Sequence, residues 1–204
     1  GHFFIFSAKI KLSHPDDYLS QLKDAHVYAD IDERRAMVEK EIANAASSLG
    51  GSILPDDELV DIVTNMVECP VASAGRFDEK FLELPQEVLI TAMRSHQKYF
   101  AVVDGQGQLM PCFVAVNNTR AVDMNKVTAG HERVLRARLE DAMFFYRKDL
   151  ETPLAQSVAQ LQRVLFHADL GSVHDKVKRI RALVELLADN IASETADIAA
   201  IADR

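Results

Sequence analysis

The chain lacks most of the features that would announce a function. It has two cysteines in 204 residues, Cys69 and Cys112, and they form no metal-ligand pair such as CxxC. Two free thiols in a reducing cytoplasm are therefore expected. No apolar run approaches the roughly 18–20 residues of a membrane span, and no leader pattern opens the chain, so no membrane partner is expected. There is no Walker loop, GxGxxG, HExxH or Ser-His-Asp order, and thus no convincing catalytic centre. Positive charge is also in deficit: 23 Lys and Arg stand against 31 Asp and Glu, a net −8. That balance argues against a protein that coats nucleic acid generally, while leaving room for a local basic patch. The chain opens Gly-His without Met and stops inside a helical pattern at Arg204, so it reads as a piece of something longer.

What it does have is a stretch more charged and more aromatic than a core needs, Gly130 to Asp149, GHERVLRARLEDAMFFYRKD. At 100° per residue, Leu135, Leu139, Ala142 and Tyr146 share one side of a helix. Arg133, Arg136 and Arg147 gather opposite, with Glu140 and Phe144 among them. Arg138 falls on the apolar flank near Val134, Ala142 and Phe145. Buried there it would need a carboxylate, and Asp141 is the candidate. One face is for the core and a basic face is left for a partner. A solvated surface with i,i+4 charge pairs explains the same pattern, and periodicity alone does not separate the two.

Residues 1–12 alternate as a strand, with Phe4, Phe6, Ala8 and Ile10 on one side, until His14-Pro15 breaks it. A short helix follows over PDDYLSQLKDA. Asp30 with Glu33 forms a capping-box analogue for a helix carrying Val38, Ile42, Ala45 and Leu49, ended by Gly50-Gly51. After a short strand, Ser52 to Leu54, Asp56 caps a helix with Leu59, Ile62, Val63, Met66 and Val67 inward. GRFDEKFLELP reads as a loop docking Phe77, Phe81 and Leu84, and Pro85 opens the helix QEVLITAMRSHQK. The run YFAVVDGQGQLMPCFVAV is a β-hairpin about Asp104–Gly107, with Pro111 marking an edge or a bulge. Asn117–Arg120 is a polar loop. From there the pattern is all helical: LAQSVAQLQRVLFHA closed by Gly171, then a Ser172–Asp175 capping box for a helix with Val177, Ile180, Val184 and Leu187 inward, and a last helix from Ser193. The change of pattern predicts an α+β module over 1–125 and an all-α region over 126–204.

Two clusters invite chemistry. His174-Asp175, with His167 upstream, suggests a metal-dependent phosphohydrolase of the HD type, but Asp175 is already explained as a capping residue. Arg94, His96 and Lys98, at a helix end before Tyr99-Phe100, suit phosphate or base contacts, although a basic helix terminus complementing the macrodipole accounts for them too. His131 and His167 read as ordinary polar residues.

The literal strings carry more. FLELPQEVLITAMRSHQKYFAVVDGQGQLMPCFVAVNN and VTAGHERVLRARLEDAMFFYRKDLETPL resemble the β subunit of the bacterial glycyl-tRNA synthetase built from separate α and β chains. Leu84–Leu89, Met93–Phe100, Asp104–Gly107, Asn117, Val134–Tyr146 and Leu170–Ile180 match that family's pattern. His131 stands where the family usually has asparagine, and Phe3 where arginine is expected. The resemblance implies a module like the B3/B4 domain of phenylalanyl-tRNA synthetase, followed by an HD-like helical region. It implies a cytoplasmic, non-catalytic, tRNA-recognising part of a glycine–tRNA ligase, with ATP and Mg used on the α subunit. The implied partners are the α subunit and tRNA-Gly, in a heterotetramer of two α and two β chains. Arg94, His96, Lys98, Arg133, Arg136 and Arg147 become the tRNA-binding candidates. An HD-type phosphohydrolase on His174 and Asp175 and a purely structural scaffold are the alternatives.

Overall fold

A computed structural model describes residues 12–151 and 153–191, with side chains as far as 188. Phe3, the strand residues Phe4 to Ile10 and the helix expected from Ser193 lie outside the described residues. The chain divides into two compact units, one ending at Tyr146 and the other beginning at Arg147. The change of composition near residue 125 follows the last strand of the four-stranded sheet, whereas the first unit continues into the helix beyond it.

In the first unit, α1 (Tyr18–Asp24) leads to α2 (Ile31–Ser48), whose N-terminus is capped by the Asp30 carboxylate accepting from the Asp32 and Glu33 amides. Glu33 does not complete a reciprocal box; its carboxylate pairs with Lys23. Strand β1 (Ser52–Ile53) and helix α3 (Asp57–Met66) follow, then β2 (Val71–Arg76) and α4 (Gln86–Thr91), which continues as a π-helical turn over Ala92–Gln97. The hairpin strands are β3 (Phe100–Val103) and β4 (Leu109–Asn117), and α5 runs from Met124 to Glu151.

The four strands form one antiparallel sheet in the order β1-β3-β4-β2. Its pleat sends alternate residues to opposite faces, and both faces are covered. Phe100, Val102, Cys112 and Val114 pack with Val38 and Ile42 of α2 and Leu59 and Val63 of α3. Ala101, Phe113 and Ala115, with Tyr99, pack on the other side with Phe81, Leu89, Met93 and the α5 residues Leu135, Leu139 and Met143. The expected Leu135 and Leu139 face is therefore a core face. On α3 the inward set shifts: Val60 is buried and Met66 is 61% exposed, because the helix stops at Met66 and Val67 leaves in extended conformation.

Strand β2 was not legible in VASAGR, whose small residues have weak strand preference. Gly75 explains the composition. A Cβ there would lie 2.4 Å from Phe113 Cζ, so only glycine lets that ring cover the strand. Pro111 sits where the β3–β4 register shifts, between Ala101↔Phe113 and Val103↔Leu109, which is the bulge it signals; β4 itself is an interior strand. At the hairpin tip the Asp104 carboxylate accepts from the amides of Gln106 and Gln108, and Gly107 takes φ +79°.

The second unit holds α6 (Leu154–Ser157), a 3-10 turn over Val158–Arg163, a small hairpin of β5 (Leu165–His167) with β6 (Gly171–Ser172), and α7 (Val173–Ile191). The long helix expected over LAQSVAQLQRVLFHA is therefore broken. Leu165 pairs with Ser172 and His167 with Gly171 instead, and Val173 donates to the Val164 carbonyl at 2.8 Å. The Ser172–Asp175 capping box is present in both directions. The inward set on α7 is corrected: Val177, Ile180 and Leu187 are exposed, since among the described residues no helix covers that face. No helix among the described residues is long and apolar enough to cross a membrane.

Candidate nucleic-acid interface

The predicted cationic face of α5 exists as a surface. Arg133 and Arg136 are exposed one turn apart, on the side of the helix away from Leu135 and Leu139. Neither makes an ion pair among the described residues; the Asp78 carboxyl is held below its usual range chiefly by the Lys80 amide, with the Arg136 charge a lesser contribution. Phe144, 63% exposed, follows Arg133 on the helical wheel, and Glu140 is an acid between the two arginines. Arg147 is exposed as well, but it is already engaged by a neighbour and is the first residue of the second unit.

Of the cluster at the end of α4, Arg94 is spoken for. Its Nε donates to Asp56 at 2.6 Å, and its Nη2 reaches Asp56 and Glu58. Those hydrogen bonds hold the guanidinium further above its usual pKa. Asp56 also caps α3 by accepting from the Leu59 amide at 2.9 Å. Burial alone would raise its pKa, but the Arg94 bond, the Leu59 amide and the Arg94 charge outweigh it and leave it lowered. Arg94 is thus a tie between two helices, with its charge balanced internally. His96 is exposed on the π-helical turn. Lys98 ends the turn in the left-handed region, at φ 57°, with its Nζ donating to the Ser95 carbonyl.

Arg138 departs from expectation. The flank on which it sits is open, so its charge is solvated and its guanidinium makes no ion pair with Asp141. The two line a groove of about 500 Å³ with Glu87, Val88, Thr91, Ala92, His96, Ala142 and Phe145.

His131 was read as an ordinary polar residue and is a structural tie. Its Nδ1 lies 2.8 Å from Tyr99 Oη and its Nε2 lies 2.8 Å from Asn117 Oδ1. The Asn117 amide donates to the Val71 carbonyl and to Ser73 Oγ, which orients its oxygen toward His131 as an acceptor. The ring therefore carries its proton on Nε2, and Tyr99 donates to Nδ1. Burial lowers the imidazole pKa and raises that of Tyr99 to about 12, so both stay neutral at pH 7. Only the tertiary arrangement of α5, β3, β4 and β2 brings these four side chains together.

In the second unit, Asp175 Oδ2 accepts from both the Ser172 amide and Oγ, at 2.9 and 2.7 Å. Those hydrogen bonds, the hydroxyl first, lower its pKa. The carboxylate is occupied as a helix cap. Among the described residues no three His, Cys, Asp or Glu side chains come together as a metal-holding group.

The family described as Glycyl-tRNA synthetase beta subunit matches residues 1–203. The chain is 54% identical over 188 residues to the glycine–tRNA ligase beta subunit of Desulforapulum autotrophicum, covering 92% of this chain and 27% of that protein. Identity to the same subunit of Desulfatibacillum aliphaticivorans is 50% over 188 residues, with the same coverage. For that of Synechocystis it is 42% over 191 residues, covering 94% and 26%. The chain thus spans about a quarter of the length of these relatives. A family match along nearly its whole length, together with relatives of this identity, makes the chain a member of the glycyl-tRNA synthetase beta subunit family.

Proposed function

We propose that this chain serves ATP-dependent attachment of glycine to tRNA-Gly as a non-catalytic, RNA-docking part. The active site, with its ATP and Mg, lies on an α subunit, in a cytoplasmic assembly of two α and two β chains. The observation that carries the docking role is the pair Arg133 and Arg136, exposed and, among the described residues, without an ion pair, on a helix whose other side is core. His96, exposed on the π-helical turn, and Lys98, half-buried at its end, add candidate phosphate contacts. Arg94 does not belong to this set, because its charge is matched by Asp56 and Glu58. A sheet covered by helices on both faces is consistent with reading residues 1–125 as a B3/B4-like module, and residues 126–204 as the start of an HD-like region.

Phosphate contacts position an RNA without reading it, so their loss weakens binding broadly. Double charge reversal, Arg133→Glu with Arg136→Glu, is expected to lower affinity of the ligase for tRNA-Gly at least about tenfold. It also flattens the dependence of log affinity on log salt by about one to two units. Filter binding at two salt concentrations reads both. Unchanged affinity and slope would leave a scaffold role instead.

A further inference from the structure

The groove beside Arg138 lies on the opposite flank of α5 from Arg133 and Arg136, and the docking role assigned to those two does not use it. Its apolar wall is Val88 and Ala92 from α4 and its π-helical extension, facing Phe145 of α5. Phe144 packs edge-on against the Phe145 ring, with centroids 5.4 Å apart at 76°, and so steadies it. Arg138 and Asp141 stand one turn apart along the same groove, and neither has an ion pair or hydrogen bond among the described residues. A π-helical turn as one wall is itself a frequent mark of a functional site.

The volume, about 500 Å³, is within the range of small-ligand sites. A purely apolar occupant would cover Arg138 and Asp141 and leave both charges desolvated without a partner. Inorganic phosphate would meet Arg138 but also the carboxylates of Asp141 and Glu87, and it would leave the aromatic wall unused. The complement is a ligand with a flat ring, an anionic group at one end and N–H donors at the other. A nucleotide with an exocyclic amine has all three. Unpaired RNA bases are bound in this way, stacked on aromatic side chains and hydrogen-bonded along their edges, and a carboxylate is the natural acceptor for an amine such as cytosine N4.

We propose that this groove takes one unpaired nucleotide of the bound RNA, its amine-bearing base stacked on Phe145 and held by Asp141, its phosphate on Arg138. The inference rests on the RNA-docking role assigned to Arg133 and Arg136, and it adds base preference to a surface that otherwise reads only phosphate. Uracil, which has no exocyclic amine, is disfavoured.

Fluorescein-labelled hexamers of cytidylate, adenylate and uridylate, titrated into the assembled ligase, test it. The cytidylate and adenylate hexamers are expected to bind at least about fivefold tighter than uridylate, and Asp141→Asn to erase that preference. Phe145→Ala weakens the preferred hexamers by roughly 5- to 100-fold, and Phe145→Tyr restores them, which separates lost stacking from lost folding. Equal affinity for all three hexamers, or a preference indifferent to Asp141→Asn and Phe145→Ala, overturns the groove. So does Phe145→Ala loosening subunit assembly while RNA binding is unchanged, which would make the groove a protein interface. The Arg133→Glu/Arg136→Glu ligase, titrated with tRNA-Gly alongside, separates the two failures. If its affinity and salt slope fall while base preference is absent, the docking role stands and only the groove fails.

Discussion

In the first compact unit α5 buries Leu135, Leu139 and Met143 against a sheet, whereas in the second α7 leaves Ile180, Leu183 and Leu187 about half exposed. Both helices carry apolar residues at three- and four-residue spacing, and by pattern alone both predict an inward stripe. The difference lies in what faces the stripe. For α5 the partners are Phe81, Leu89 and Phe113, supplied by the same unit. For α7 the nearest elements are a 3-10 turn and a two-stranded hairpin whose own Leu165 and Phe166 are exposed, so no buried side chain results among the described residues. Amphipathic periodicity states a requirement for a partner and says nothing about whether one is present.

The sharpest way to break that comparison is to empty the two stripes. Leu139→Ala removes a fully buried side chain and is expected to destabilise the first unit by about 2–5 kcal/mol, read as a shifted urea midpoint. Next comes the sheet face under α5. Gly75→Ala places a methyl against the Phe113 ring and should destabilise the unit by about 1–3 kcal/mol, with lost amide protection in β2 and β4 as the local signature.

A smaller effect is carried by His131. Burial lowers its pKa below the ordinary 6.5, so as pH falls the unfolded chain takes up a proton before the folded one does. Stability from the neutral ring is therefore present above about pH 6.5 and lost as pH drops from there towards the lowered folded value. A proton on Nδ1 would also displace Tyr99 from its acceptor in a buried site. His131→Asn, which keeps a neutral hydrogen-bonding group, is expected to flatten the loss of stability between pH 7 and 5. Denaturation midpoints of the two proteins at those pH values check it. The smallest effect belongs to the second unit: Leu183→Ala should change stability by less than about 0.5 kcal/mol. A loss matching that of Leu139→Ala would show that the α7 stripe is covered after all.

Local signals proved legible where one residue acts on its neighbours. Asp30 and Asp56 cap α2 and α3, Asp104 organises the hairpin tip, and Ser172 with Asp175 closes a reciprocal box at the start of α7. Each rests on amides two to four residues away, so spacing is enough to find it. What the sequence did not show depends on distant residues. VASAGR is a strand because Phe113, far along the chain, needs Gly75 beneath its ring. Arg94 looked like a phosphate ligand until Asp56 and Glu58 were brought to it from another helix. Arg138 was expected to be buried and paired, yet the flank it occupies is open. Of the RNA candidates, Arg133 and Arg136 are exposed on the side of α5 away from the core, because a helix that buries one face must expose the other.

From the order of residues alone came the helix periods, the caps, the hairpin and a family signature long enough to be specific. Those follow from forces acting within a turn or two of the backbone, and from strings that chance does not assemble. Which charges are matched inside the molecule and which stay exposed was decided only by packing. An ion pair needs two groups within about 4 Å, and the fold alone decides which residues come that close.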